Sequence, residues 1–122
     1  MDKIRSYKDL LVWQKAINII TDVYTATKKF PSEERFGLSS QVQRAAVSIA
    51  ANIAEGHGRG TRNDYAHFLD MANGSISELE TLFIIVRKLS YCTDQECSKI
   101  EGQLHEVGKM LGSLRSKLRV HP

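Results

Sequence analysis

Proline interrupts this chain only at positions 31 and 122, so residues 32–121 lack the residue that breaks helices most severely. Through the same stretch apolar residues recur at steps of three and four, the period that lines up one face of a helix, and no run alternates at the strand period of two. An all-α protein built from long helices is the expected outcome.

The first helix is expected over about residues 7–29, with Leu10, Trp13, Ile17, Ile20, Tyr24 and Thr27 as its core face. Ser6 and Asp9 resemble a capping box, and Pro31 enforces the stop. Residues 30–39 read as a loop with Phe36 and Leu38 tucked beneath it. A second helix is predicted over 39–56, with Val42, Ala46, Ile49 and Ile53 inward and Ala45, Ala50, Ala51 and Ala54 around them. Alanine at this density lets a neighbour approach to the short end of the usual separation of about 8 to 10 Å, so this helix should be the most enclosed. Gly56, Gly58 and Gly60 are expected to end it.

The third helix is predicted over 62–90, capped by Thr61 with Asp64. Asn73-Gly74 within it is a hairpin cue, but the three-four period continues on both sides, and a mid-helix glycine costs only about 1 kcal/mol, which close packing offsets. The fourth helix, 94–119, opens on Thr93 and Glu96 and carries the seam Cys97, Ile100, Leu104, Val107, Leu111, Leu114 and Leu118. Gly102, Gly108 and Gly112 weaken it unless another backbone approaches there. Short connections between long helices imply one domain, residues 1–122, folded as an up-down-up-down antiparallel four-helix bundle.

Chemistry is sparse. The sequence contains no phosphate-binding Gly-x-x-x-x-Gly-Lys, no His-Glu-x-x-His, no Gly-x-Ser-x-Gly and no Glu-x-x-His pair of the di-iron bundles. Cys92, Cys97 and His105 are the nearest approach to a metal set, but they are too few and too loosely spaced for a tetrahedral site. No catalytic residue, cofactor or metal is therefore expected, and the protein reads as a non-enzyme. Two cysteines do not make a disulfide framework, no apolar run approaches a membrane span, and residues 1–7 are polar, so reduced thiols in the cytoplasm are expected.

Two surface features remain. Gln41, Arg44, Ser48, Asn52 and Glu55 form a polar stripe on the second helix, read first as a structural network in which Asn52 and Glu55 bond neighbouring helix ends or a second subunit, and alternatively as a binding surface. Lys+Arg 17 against Asp+Glu 14 gives a net charge of only +3, yet the distribution is uneven. No acid follows Glu106, whereas Lys109, Arg115, Lys117 and Arg119 do, and Arg59 and Arg62 flank the turn before the third helix. In this topology that turn shares one end of the bundle with Lys3, Arg5 and Lys8, giving a face suited to phosphates. The second helix also carries more apolar surface than one bundle can cover, so self-association is expected, with Trp13 and Phe36 helping to bury it between subunits.

The segment Arg44-Ala45-Ala46-Val47-Ser48-Ile49-Ala50-Ala51-Asn52-Ile53-Ala54-Glu55-Gly56 resembles the four-helix bundle family of 23S rRNA intervening sequence proteins, related to accessory variability proteins of diversity-generating retroelements. Tyr7-Lys8-Asp9-Leu10, Val12-Trp13-Gln14-Lys15-Ala16, Glu33-Glu34-Arg35-Phe36-Gly37-Leu38, Gly58-Arg59 and Glu78-Leu79-Glu80 extend the likeness over nearly the whole chain. Ala50 stands where that family commonly has proline, which should leave the second helix straighter. The resemblance implies a bacterial cytoplasmic ring, commonly a homopentamer, whose retroelement relatives look like nucleic-acid-binding partners of a reverse transcriptase. The combined expectation is an oligomeric RNA- or DNA-binding accessory protein acting through Arg44, Arg59, Arg62, Arg115, Lys117 and Arg119. The competing expectation is a protein-interaction adaptor with no nucleic-acid binding.

Overall fold

The computed structural model describes residues 4–118 of the chain. Four helices dominate: α1 (Leu11–Thr27), α2 (Leu38–His57), α3 (Arg62–Lys88) and α4 (Asp94–Lys117), with 3-10 turns at Tyr7–Asp9 and Ser32–Glu34. Each helix packs against the helices before and after it, and α4 closes the set against α1, whereas the diagonal pairs do not meet among the described residues. Contacts between α1 and α4 fix their sense. Lys15 meets Glu106 at 3.2 Å, Asp22 accepts a hydrogen bond from Gln103 at 2.8 Å, and Lys29 pairs with Glu96, so rising numbers on one helix meet falling numbers on the other. The expected antiparallel four-helix bundle is the fold.

The core face of α1 differs from the sequence expectation. Val12, Ala16, Ile19, Val23, Ala26 and Thr27 are buried, while Leu10, Trp13, Ile17 and Ile20 pack at its rim and Tyr24 stays 43% exposed. Both stripes have helical spacing. The one with smaller side chains turned inward, because a central position beside alanine-rich α2 has room for Ala and Val and not for a run of large rings. The first boundary differs too. The Ser6 and Asp9 capping box is real, but it caps the 3-10 turn, and Leu10, extended at φ −75° and ψ 124°, separates that turn from α1.

Nine of the twenty residues of α2 are buried, against five of the twenty-four in α4, so α2 is the most enclosed helix as expected. It runs unbroken through Ala50. Gly37 precedes it without a side chain to cap with, and the Glu34 carboxylate supplies the acceptor instead, taking the Leu38 N–H at 3.2 Å. The second oxygen of Glu34 accepts from the Tyr91 hydroxyl at 3.0 Å, which ties this helix start to the α3–α4 connection. Gly56 does not end α2. It lies inside the helix, where an added Cβ would sit 2.7 Å from the Cβ of Phe68, and it marks the close crossing of α2 and α3. Phe36 does not tuck under its loop either: it is 87% exposed, whereas Leu38 is buried.

Helix α3 continues through Asn73-Gly74, and nothing lies within 4 Å of a Cβ built on Gly74, so the offset comes from burial elsewhere along the helix. The same holds for Gly102, Gly108 and Gly112, which no backbone approaches, contrary to expectation. Both predicted caps are present, Thr61 accepting from Asp64 N–H at 3.1 Å and Thr93 from Glu96 N–H at 3.1 Å. The seam of α4 is buried from Cys97 to Leu111, with Leu114 and Leu118 at its edge. Cys92 and Cys97 flank the Thr93 cap at the positions of a hydrophobic staple, as buried free thiols.

Candidate functional site

The α2–α3 turn, the start of α1 and the end of α4 meet at one end of the bundle. Tyr7 of the first 3-10 turn shares a cleft with Gly58 and Arg59, and Arg115 near the end of α4 reaches Asp70 of α3. This end therefore gathers Arg5, Lys8, Arg59, Arg62, Arg115 and Lys117. The carboxylates with them are Asp9, Glu55, Asp64 and Asp70, leaving two more cations than carboxylates among the described residues. At the opposite end Lys28, Lys29, Arg35, Arg87 and Lys88 are balanced by Glu33, Glu34, Asp94, Glu96 and Glu101.

The six cations are not equivalent. Arg59 donates to Glu55 at 2.8 Å and lies 4.8 Å from the centre of the Phe68 ring, so its guanidinium is held on two sides. Arg115 forms a bidentate pair with Asp70 at 3.0 and 3.3 Å, and that hydrogen bonding holds the proton on its guanidinium more tightly than usual. Arg5, Lys8, Arg62 and Lys117 are exposed and make no ion pair among the described residues. Arg62 is the first residue of α3 and Lys117 the last of α4. Arg44 stands apart: it lies on α2 thirteen residues before His57, about 20 Å along the helix axis from the turn. It is exposed in a groove with Gln41, Ser48 and Glu78. Arg119 lies outside the described residues, as does Lys3.

The polar stripe of α2 resolves into local bonding. Asn52 donates to the Ser48 carbonyl of its own helix at 2.8 Å, and Ser48 bonds Ser75 of α3. Glu55 turns to Arg59 just past the helix end. The expectation that Asn52 reaches a neighbouring helix end is therefore corrected: its partner is one turn earlier on α2, where the i−4 carbonyl is within reach. Among the described residues no three His, Cys, Asp or Glu side chains converge as a metal site requires. Burial pushes the Cys92 thiol up to about 11, so it is a poor nucleophile and a poor ligand.

Sequence reasoning missed the aromatic lining of this end. Tyr7 and Trp13 meet edge to face with ring centres 5.2 Å apart, and His57 meets Tyr65 at 5.7 Å. The signal was the short spacing of Tyr7 and Trp13 across Leu10, which reads as one helix until the extended residue is seen. No described helix is long and apolar enough to cross a membrane.

A crystal structure of a protein of unknown function from the S23 ribosomal protein family of Bacteroides thetaiotaomicron superposes with a TM-score of 0.78 at 24% identity, over 86% of this chain and 98% of that one. That likeness concerns the fold. No curated protein matches the chain. The model of the 23S rRNA-intervening sequence protein family matches residues 8–113, which run from within the first 3-10 turn through most of α4 and include the turn carrying Arg59 and Arg62, and the chain belongs to that family.

Proposed function

We propose that the protein is a non-enzymatic, homo-oligomeric binder of RNA or DNA phosphates, with the cationic end as its contact surface. The observation that carries this reading is the gathering of cations from three separate segments at one end, with Arg5, Lys8, Arg62 and Lys117 free of ion pairs among the described residues. Phosphate contacts need cations that are not already neutralised, and they read no base sequence. One copy carries a small excess of charge. A ring of copies, a pentamer in the arrangement the family resemblance implies, multiplies it and adds avidity.

Away from that end Phe36 is 87% exposed and Tyr24 43%, and these rings offer a surface for assembly. Reduced, buried thiols suit a cytoplasmic setting, and a reverse transcriptase is the protein partner to which the retroelement relatives point. Binding to a labelled oligonucleotide across a salt series tests the reading. Log affinity should fall linearly with log salt, and Arg62→Ala and Lys117→Ala should each flatten the slope by roughly one. Salt-independent binding would overturn it. Phe36 also favours a second reading, an adaptor whose exposed ring docks a protein. Absence of binding to every nucleic acid, together with partner capture that Phe36→Ser abolishes, would support that instead.

A further inference from the structure

The cationic end holds a feature that phosphate binding does not use. Between the first 3-10 turn and the last turns of α2 lies a cleft of about 450 Å³, lined by Tyr7, Ala51, Ala54, Glu55, Gly58 and Arg59. We propose that this cleft receives one unpaired nucleobase of a single-stranded nucleic acid, stacked on Tyr7. The proposal rests on the phosphate-binding reading and adds the class of strand that the site selects.

Each wall supplies one of the things a base requires. Ala51 and Ala54 make a floor of single methyl groups, and Gly58 leaves one side without a side chain; a Cβ there would meet only carbonyl oxygens at 3.5 and 3.7 Å. Tyr7 is held by its edge-to-face contact with Trp13, ring centres 5.2 Å apart at 65°, which leaves at least one face of its ring uncovered by Trp13. Stacking on such a ring tolerates any base, because every base has a π-face. Arg59 is fixed at the rim by Glu55 and Phe68, where its guanidinium plane can stack against a base. Only one oxygen of Glu55 is engaged by Arg59, so the other can accept from an amino group on a base edge. A duplex must unpair and unstack a base before a cleft can receive it, a cost an unpaired segment does not carry, so the ligand is an unpaired segment. Arg62, exposed at the start of α3 on the same turn as Arg59 and free of an ion pair among the described residues, is the candidate for the flanking phosphate.

The chain carries a single tryptophan, Trp13, and it touches the Tyr7 wall, so its fluorescence reports the cleft directly. The test compares a short oligo(dC) with an abasic strand of the same length, using the full chain. Oligo(dC) should bind roughly tenfold tighter and alter Trp13 emission, whereas the abasic strand binds more weakly and leaves emission unchanged. Ala51→Leu, at an exposed position clear of the core, should fill the cleft and bring oligo(dC) down to the abasic affinity without changing the abasic affinity itself. Tyr7→Ala should do the same, and Tyr7→Phe should retain the wild-type preference. Equal affinity for the two strands, with unchanged Trp13 emission and an intact salt dependence, would remove the base cleft and leave phosphate binding standing. Failure of both strands to bind would remove the two together.

Discussion

At the scale of single residues, glycine and the left-handed backbone are mismatched in this protein. Ser90 has φ 59° at the end of α3, where its N–H donates to Arg87 carbonyl and that of Tyr91 to Val86 carbonyl, both at 3.1 Å. That is the bonding of a Schellman motif, whose left-handed position glycine fills without strain. Glycine stands instead at positions 74, 102 and 112, inside helices, where nothing lies within 4 Å of an added Cβ. Ser90→Gly should therefore stabilise the fold by about 1 kcal/mol, and Gly74→Ala, Gly102→Ala and Gly112→Ala by about 0.5 to 1 kcal/mol each, measured by denaturant unfolding. Gly56→Ala should do the opposite, destabilising by roughly 1–3 kcal/mol, because its Cβ would overlap Phe68 and Tyr65 at the α2–α3 crossing. A gain at position 56 would contradict the packing described here. Sequence marks all of these glycines alike; only the neighbouring helix distinguishes them.

At the scale of elements, the start of α4 concentrates the tethers of the fold. Glu96 closes the capping box with Thr93 and pairs with Lys29 at the end of α1, and these contacts, Lys29 foremost and then the Thr93 N–H, hold its carboxyl at about 2 against an ordinary 4.5. The folded state thus binds the proton less readily than the unfolded chain. The stability from Glu96 is complete above about pH 4.5 and is lost as the pH falls toward about 2. The thermal midpoint should fall over that window, and Glu96→Gln should lower it at neutral pH while flattening its acid dependence. An unchanged acid limb in Glu96→Gln would show that other carboxylates carry it. The caps of α3 and α4 were legible in the sequence because Thr61 and Thr93 act on backbone three residues away. The Glu34 bond to Leu38 N–H was not, since it depends on the conformation of Gly37 between them.

At the scale of the whole molecule, exposed apolar side chains occur at both ends of the bundle, Ile4, Leu11 and Met71 toward the cationic end among them. The most exposed of them, Phe36, lies in the half of the bundle away from Arg62 and Lys117, as do Tyr24, Ile85 of α3 and Leu89 just past its end. Sedimentation of the wild type at micromolar concentration should show an assembly, and Phe36→Ser should lower its mass without lowering the thermal midpoint of a single subunit, because the side chain is 87% exposed and supports no core. A monomeric wild type would remove the ring and the avidity argued from it. The candidate site was partly legible at this scale. Arg59, Arg62, Arg115 and Lys117 could be assigned to one end from topology alone, but the commitment of Arg59 to Glu55 and of Arg115 to Asp70 depends on turn and helix-pair geometry.

Four helices, their order, their antiparallel sense, two threonine caps and the seam of α4 follow from proline spacing, hydrophobic period and short connections, all of which act through the local chain. Tertiary structure decided which of two apolar stripes on α1 turned inward, that Phe36 faces water, that Gly56 is a crossing point, and which arginines remain free. Each of those outcomes is a competition for space or for a partner between segments distant in sequence, and such a competition is settled only when the segments meet.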